Sequence, residues 1–124
     1  MKFIHIADVH LGAQPDAGRA YSKERPRELW DALERVLDVC EEEQTDLLLI
    51  AGDLFHRQPL LRELKELDYL FSELSHTKVV LIAGNHDYIR RDSYYRTFRW
   101  NGNVIPLFGR NPDYVEFQEL RSAV

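Results

Sequence analysis

Three short apolar runs constrain this chain more than anything else in it: Phe3-Ile4-His5-Ile6-Ala7, Leu47-Leu48-Leu49-Ile50-Ala51 and Val79-Val80-Leu81-Ile82-Ala83. Each is too short for a membrane span and is bounded by turn residues, so each reads as a buried strand. The segments between them repeat at three and four residues, the spacing of an amphipathic helix. Strand, helix, strand, helix, strand predicts an α/β fold. It would hold two successive βαβ units, with parallel strands, right-handed crossovers and flanking helices. In such a sheet, ligands bind beyond the carboxyl ends of the strands. Here each run passes directly into polar side chains: Asp8-Val9-His10, then Gly52-Asp53, then Gly84-Asn85-His86-Asp87. The expectation is that Asp8, His10, Asp53, Asn85 and His86 meet in one crevice.

The first strand is expected over residues 2–7. A loop with Gly12, Pro15 and Gly18 follows, then a helix over residues 22–43. Its stripe is Leu29, Trp30, Leu33, Val36, Leu37 and Cys40, with Ser22 as N-cap and Pro26 in the first turn. Cys40 on that stripe is a small buried hydrophobe, and Glu41-Glu42-Glu43 a solvated helix end. The second strand is continuously apolar, as strands covered on both faces are. The second helix is expected over residues 59–75, with Leu60, Leu64, Leu67, Phe71 and Leu74 on its core face. After Asp87 the pattern weakens to a short helix at 93–100 and strands at 104–105 and 114–117. His5 reads as a core histidine and His76 as a surface loop residue.

At 124 residues the chain fits one domain, and 44% hydrophobic with 30% charged residues marks it as globular. The net charge of -5 gives no global support for nucleic-acid binding, although a local basic patch can act alone. One cysteine excludes an internal disulfide. With no signal-like N-terminal run, this points to a reducing cytoplasm and away from membranes.

Carboxylate, amide and imidazole groups are ligands for hard and borderline divalent ions, and no thiolate is available. Asp8 and His10 stand at i and i+2, so on an extended segment both point to one side. Asp53 has two oxygens and can bridge two ions, and Asn85 offers a neutral carbonyl. Manganese is the first choice, with magnesium, iron(II) and zinc as alternatives. Two ions about 4 Å apart would clamp a phosphoryl displacement. His86, beside Asn85 but facing away from it, suits a proton donor to the leaving oxygen or a clamp on the phosphate.

Taken in order, Asp-x-His, Gly-Asp and Gly-Asn-His-Asp resemble the calcineurin-like metallophosphoesterases, over roughly residues 1–90. Asp-Val-His-Leu-Gly and Gly-Asp-Leu-Phe-His look like the nuclease branch, the DNA double-strand-break repair exonucleases. His56 stands where the superfamily's protein phosphatases carry an aspartate. The resemblance implies that Asp8, His10 and Asp53 bind a first metal and that Asp53 and Asn85 bind a second. His86, helped by His56, would act on the phosphate and leaving group. It also implies a coiled-coil ATPase partner and dimers. The family's further histidine ligand and its Gly-His-x-His motif are not in this sequence, since the five histidines end at His86. Residues 1–124 are therefore expected to be the N-terminal portion of such a domain, inactive or weak alone. The missing part would supply the other half of a two-layer sandwich. An uncovered sheet edge would invite self-association.

Between Tyr88 and Arg110, five arginines (Arg90, Arg91, Arg96, Arg99 and Arg110) face one acid, Asp92, for a local charge of +4. Tyr88, Tyr94, Tyr95, Phe98 and Trp100 are interleaved with them. Arginine with aromatics suits phosphate contacts and base stacking, and Arg90 and Arg91 lie closest to the motif. The competing reading is a solvated loop whose aromatics serve the core. The expected function is metal-dependent hydrolysis of DNA phosphodiester bonds. The alternatives are action on small or cyclic phosphodiesters and a non-catalytic, degenerate module.

Overall fold

The computed structural model describes residues 1–124. The three apolar runs form β1 (Phe3–Ile6), β2 (Leu47–Ala51) and β3 (Lys78–Ile82), joined by α1 (Arg25–Glu42) and α2 (Leu61–Ser72). A fourth strand, β4 (Val104–Pro106), completes a parallel sheet in the order β1-β2-β3-β4. The expected α/β architecture is therefore the observed one. The register pairs Ile4 with Leu48 and Ile6 with Ile50, and then Leu48 with Val79 and Ile50 with Leu81. These residues share one sheet face. The helices cover it with Trp30, Leu33, Leu37 and Cys40 from α1 and Leu64, Leu67 and Phe71 from α2. Cys40 is buried on the stripe, and that burial, with the charge of Glu41, pushes its thiol up.

The helix ends differ from the sequence expectation. Ser22 does not cap α1, which begins after Glu24 without a side-chain cap. Arg25 instead lies 3.4 Å from Asp16 and 2.6 Å from Glu28. The far end of α1 is solvent-exposed, as expected, and is also bonded: Glu41 accepts the N–H and hydroxyl of Ser75, and Glu43 lies 3.2 Å from Lys2 Nζ. α2 stops at Ser72, three residues short of Ser75, with the Glu73 N–H bonded to the Leu70 and Phe71 carbonyls. His76 is exposed, as expected, but also paired with Asp46 at 2.9 Å. The expected helix at 93–100 is a single 3-10 turn, Tyr94–Arg96, over which Ser93 Oγ accepts the Tyr95 N–H.

The second sheet face is only partly covered. A hairpin of β5 (Glu116–Phe117) and β6 (Ser122–Ala123) lays Phe117 over Leu47 and Val80. Beyond it Phe3 is 55% and Ile82 42% exposed. His5 shares the face of Phe3 and is exposed too, so it is not a core histidine. β1 is an edge strand, and period two places Phe3 and His5 on the side the helices do not reach. No helix is long and apolar enough to cross a membrane.

Candidate metal centre

The site is made where β1, β2 and β3 end. Past β1 and β2 the two backbones keep bonding, but irregularly. Asp8 N–H donates to the Gly52 carbonyl (3.2 Å), His10 N–H to Asp53 (3.0 Å) and Leu11 N–H to Leu54 (2.9 Å). His56 N–H then returns to Leu11 (2.9 Å). Along this path Asp8, His10 and Asp53 all take left-handed backbone, with φ of 54°, 54° and 50°. That conformation costs a non-glycine residue about 1 kcal/mol or more, and it gathers at functional sites. Asp8 and His10 therefore converge through left-handed turns and not through the extended backbone expected from their i, i+2 spacing. The segment is not extended, yet Asp8 Oδ1 and His10 Nε2 stand 3.8 Å apart.

Two glycines let the ends of β2 and β3 meet. A Cβ on Gly52, itself at φ +88°, would lie 3.0 Å from Gly84 Cα, and one on Gly84 would collide with the Asp53 side chain and N–H. Asp53 is buried and its Oδ1 accepts the His86 N–H at 2.9 Å. This bond ties the third motif to the second. One donor atom each from Asp8, His10 and Asp53 lies within 4.8 Å of the others, and so do nitrogens of His10, His56 and His86. Two carboxylates and an imidazole converging from two strands fit a divalent cation.

The histidines pack on one another. His56 and His86 stack with centroids 4.8 Å apart, and His10 meets both edge-on at 5.2 and 4.9 Å. His86 Nδ1 lies 3.1 Å from the His56 carbonyl, to which it donates, leaving Nε2 free. Asp8, His10, His56 and His86 line an open cleft of about 530 Å³ whose far wall includes Gln14, Pro15 and Leu29.

The other expected residues do not line the histidine cleft. Asn85 is exposed on the loop between Gly84 and His86. Arg90 is exposed and held by Asp92 in a two-bond pairing at 3.0 and 2.9 Å, and Arg91 is exposed beside it. Neither arginine lines the histidine cleft. The interleaved aromatics divide: Tyr95, Phe98 and Trp100 join the core, while Tyr88 and Tyr94 face solvent.

Two residues that sequence reasoning left without a role hold the site together. Asp87 is fully buried and accepts from Gly84 N–H (2.7 Å), Phe55 N–H (3.1 Å) and the Tyr95 hydroxyl (3.0 Å). Burial, and then the charge of Asp87, push the Tyr95 phenol far up, so it stays protonated and donates. Arg57 packs its guanidinium under Gly12 and bonds Glu63 at 2.9 and 2.7 Å, which clamps the His56 turn onto the start of α2. The motif aspartate itself was the available signal for the first. Nothing local signalled the second.

Comparison with known proteins identifies a family and a similar fold. The model of the calcineurin-like phosphoesterase family matches residues 1–121. The DNA double-strand break repair protein Mre11 of Archaeoglobus fulgidus is 38% identical over 133 residues, which cover 97% of this chain and 29% of that protein. Mre11 of Aeropyrum pernix is 36% identical over 89 residues, 69% of this chain and 21% of its own length. The chain thus spans less than a third of these relatives. Among solved structures, the nuclease MPE of Pseudomonas putida superposes with a TM-score of 0.54 at 24% identity, over 85% of this chain and 46% of that one, a likeness of fold.

Proposed function

The chain belongs to the calcineurin-like phosphoesterase family, and on that premise we propose that it carries the first part of a two-metal phosphodiesterase site acting on DNA. The observation behind this reading is the convergence of Asp8, His10 and the buried Asp53, with Asp8 and His10 sharing one open cleft with His56 and His86. Relatives named as DNA double-strand break repair proteins support DNA over a small phosphoester. Residues 1–124 then form the N-terminal portion of the metallophosphoesterase domain, and the isolated chain turns over slowly or not at all.

In this reading Asp8, His10 and Asp53 hold one ion, Asp53 and Asn85 help to hold a second, and manganese is preferred. Bound ions would supply Lewis-acid charge against the phosphate oxygens. His86 has Nδ1–H committed to the His56 carbonyl, so Nε2 is the atom that faces the phosphate, and it donates to the leaving oxygen only when the ring is charged. The stacked ring and carbonyl of His56 fix that orientation. Arg90 and Arg91 bind the DNA backbone outside the cleft. Arg90 gives up an exposed pairing with Asp92 worth at most about 1 kcal/mol to do so. The proposal extends to a coiled-coil ATPase partner, self-association through the sheet and a cytoplasmic setting.

Elemental analysis of the chain with added manganese, beside Asp53→Ala, tests the metal half. Single-stranded DNA, double-stranded DNA and a small aryl phosphodiester test the substrate half. At least about one equivalent of metal is expected, lost in the variant, with any cleavage favouring DNA. No metal in either protein would overturn the reading. Turnover of the aryl diester with none of DNA would move it to small phosphodiesters.

A further inference from the structure

We infer a second cation site in the cleft, made of His10, His56 and His86, that takes a borderline transition ion such as zinc or copper(II). Filling it would switch the cleft off. One nitrogen from each ring lies within 4.8 Å of the other two. His10 Nδ1 and His56 Nδ1 are 3.2 Å apart. Two imidazole nitrogens on one tetrahedral zinc, each at about 2.05 Å, stand about 3.3 Å from each other. That pair is already at ligand spacing, and only His86 has to close in.

His86 is prepared for this role. Its Nδ1–H on the His56 carbonyl leaves a lone pair at Nε2, and a ring nitrogen tied in this way is how proteins orient a metal-ligating histidine. His56 and His86 are exposed, so an ion has a path in. Three imidazoles also leave the fourth tetrahedral position to water.

The donor set separates this site from the carboxylate site. Three neutral nitrogens favour zinc, copper and nickel, whereas Asp8 and Asp53 favour harder ions such as manganese or magnesium. His10 belongs to both sets. Its Nδ1 faces His56, and its Nε2 lies 3.8 Å from Asp8 Oδ1. An ion on the imidazoles takes His10 through Nδ1 and occupies His56 and His86, which the proposed reaction needs free. The inhibitory consequence rests on that proposed reaction, while the site itself rests on geometry.

The test is a Co2+ titration of the whole chain read by visible absorption, followed by displacement with Zn2+. Mn2+ binding is measured separately by electron paramagnetic resonance. The proteins are wild type, His56→Gln, His86→Gln and Asp8→Asn, with circular dichroism confirming the fold of each. The expected result is an intense tetrahedral Co2+ spectrum that Zn2+ abolishes. The Co2+ Kd should rise at least about tenfold in each histidine variant and stay within about twofold in Asp8→Asn. A weak octahedral spectrum, or Co2+ binding lost in Asp8→Asn and kept in His56→Gln, would overturn the site. A chain that binds Mn2+ but gives no intense Co2+ band keeps the phosphoesterase reading and loses this one. An intense band without Mn2+ binding does the reverse.

Discussion

Asp53 is at once a candidate ligand and a brace. Its carboxylate faces Asp8 and His10, and the same side chain accepts the His86 N–H. Asp53→Asn keeps an acceptor for that N–H and removes the charge. It should therefore keep the fold and lose manganese binding, which calorimetric titration beside circular dichroism would show. Asp8 carries its strain differently, since it is exposed, left-handed and free of structural bonds through its side chain. Asp8→Gly should lose metal while its urea midpoint stays level or rises, because glycine relieves roughly 1 kcal/mol of backbone strain. A clear fall in midpoint would show that the strain is not there. Asp87 is the contrast. Asp87→Ala leaves the buried Phe55 N–H, the half-buried Gly84 N–H and a buried phenol without an acceptor, and should cost about 2–4 kcal/mol in urea unfolding. The candidate ligands were legible only as a set, because carboxylates and imidazoles placed after three successive apolar runs are unusual. Asp87 was visible only as a letter in a motif, because its role depends on Phe55 and Tyr95 folding around it.

At the scale of elements, the start of α2 is where pH acts. Leu60 has no side-chain acceptor, so only half a capping box exists there: Glu63 accepts the Leu60 N–H at 2.8 Å. Burial pushes the Glu63 carboxyl up, but the bonds from Arg57 and Leu60, with the charges of Arg57 and Arg62, outweigh it and hold the group below its ordinary 4.5. A carboxyl lowered in the folded state stabilises above its unfolded value and loses that stabilisation as pH falls through the folded one. Wild type should therefore lose stability more steeply than Glu63→Gln between about pH 5 and pH 3, by roughly 1 kcal/mol. Parallel slopes in urea titrations at those pH values would refute the coupling. Strand and helix identities were legible here because their periods are local. Their ends were not, because Ser75, Asp16 and Lys2 decide them from a distance.

Across the whole molecule, the sheet has one finished face and one half-finished face. The β5–β6 hairpin covers Leu47 and Val80 and leaves Phe3 and Ile82 open. Exposed apolar sheet surface beside an unpaired edge favours association. Light scattering at high concentration should show self-association that the double substitution Phe3→Ser with Ile82→Ser reduces. A monomer throughout would count against it.

By itself the sequence determined the α/β class, the order of strands and helices along the chain, and the three strand-end turns that carry the candidate site residues. Hydrophobic period and turn residues are properties of short segments, and they survive without tertiary context. The parallel pairing of β1, β2 and β3 was expected too, but only the tertiary structure decided the register and left-handed turns that bring Asp8, His10 and Asp53 within 4.8 Å of one another. It likewise decided that three histidines share a cleft, that Arg90 spends its charge on Asp92, and that His5 faces outward. Those outcomes depend on distances between segments far apart in the chain, set by packing and register rather than by local pattern.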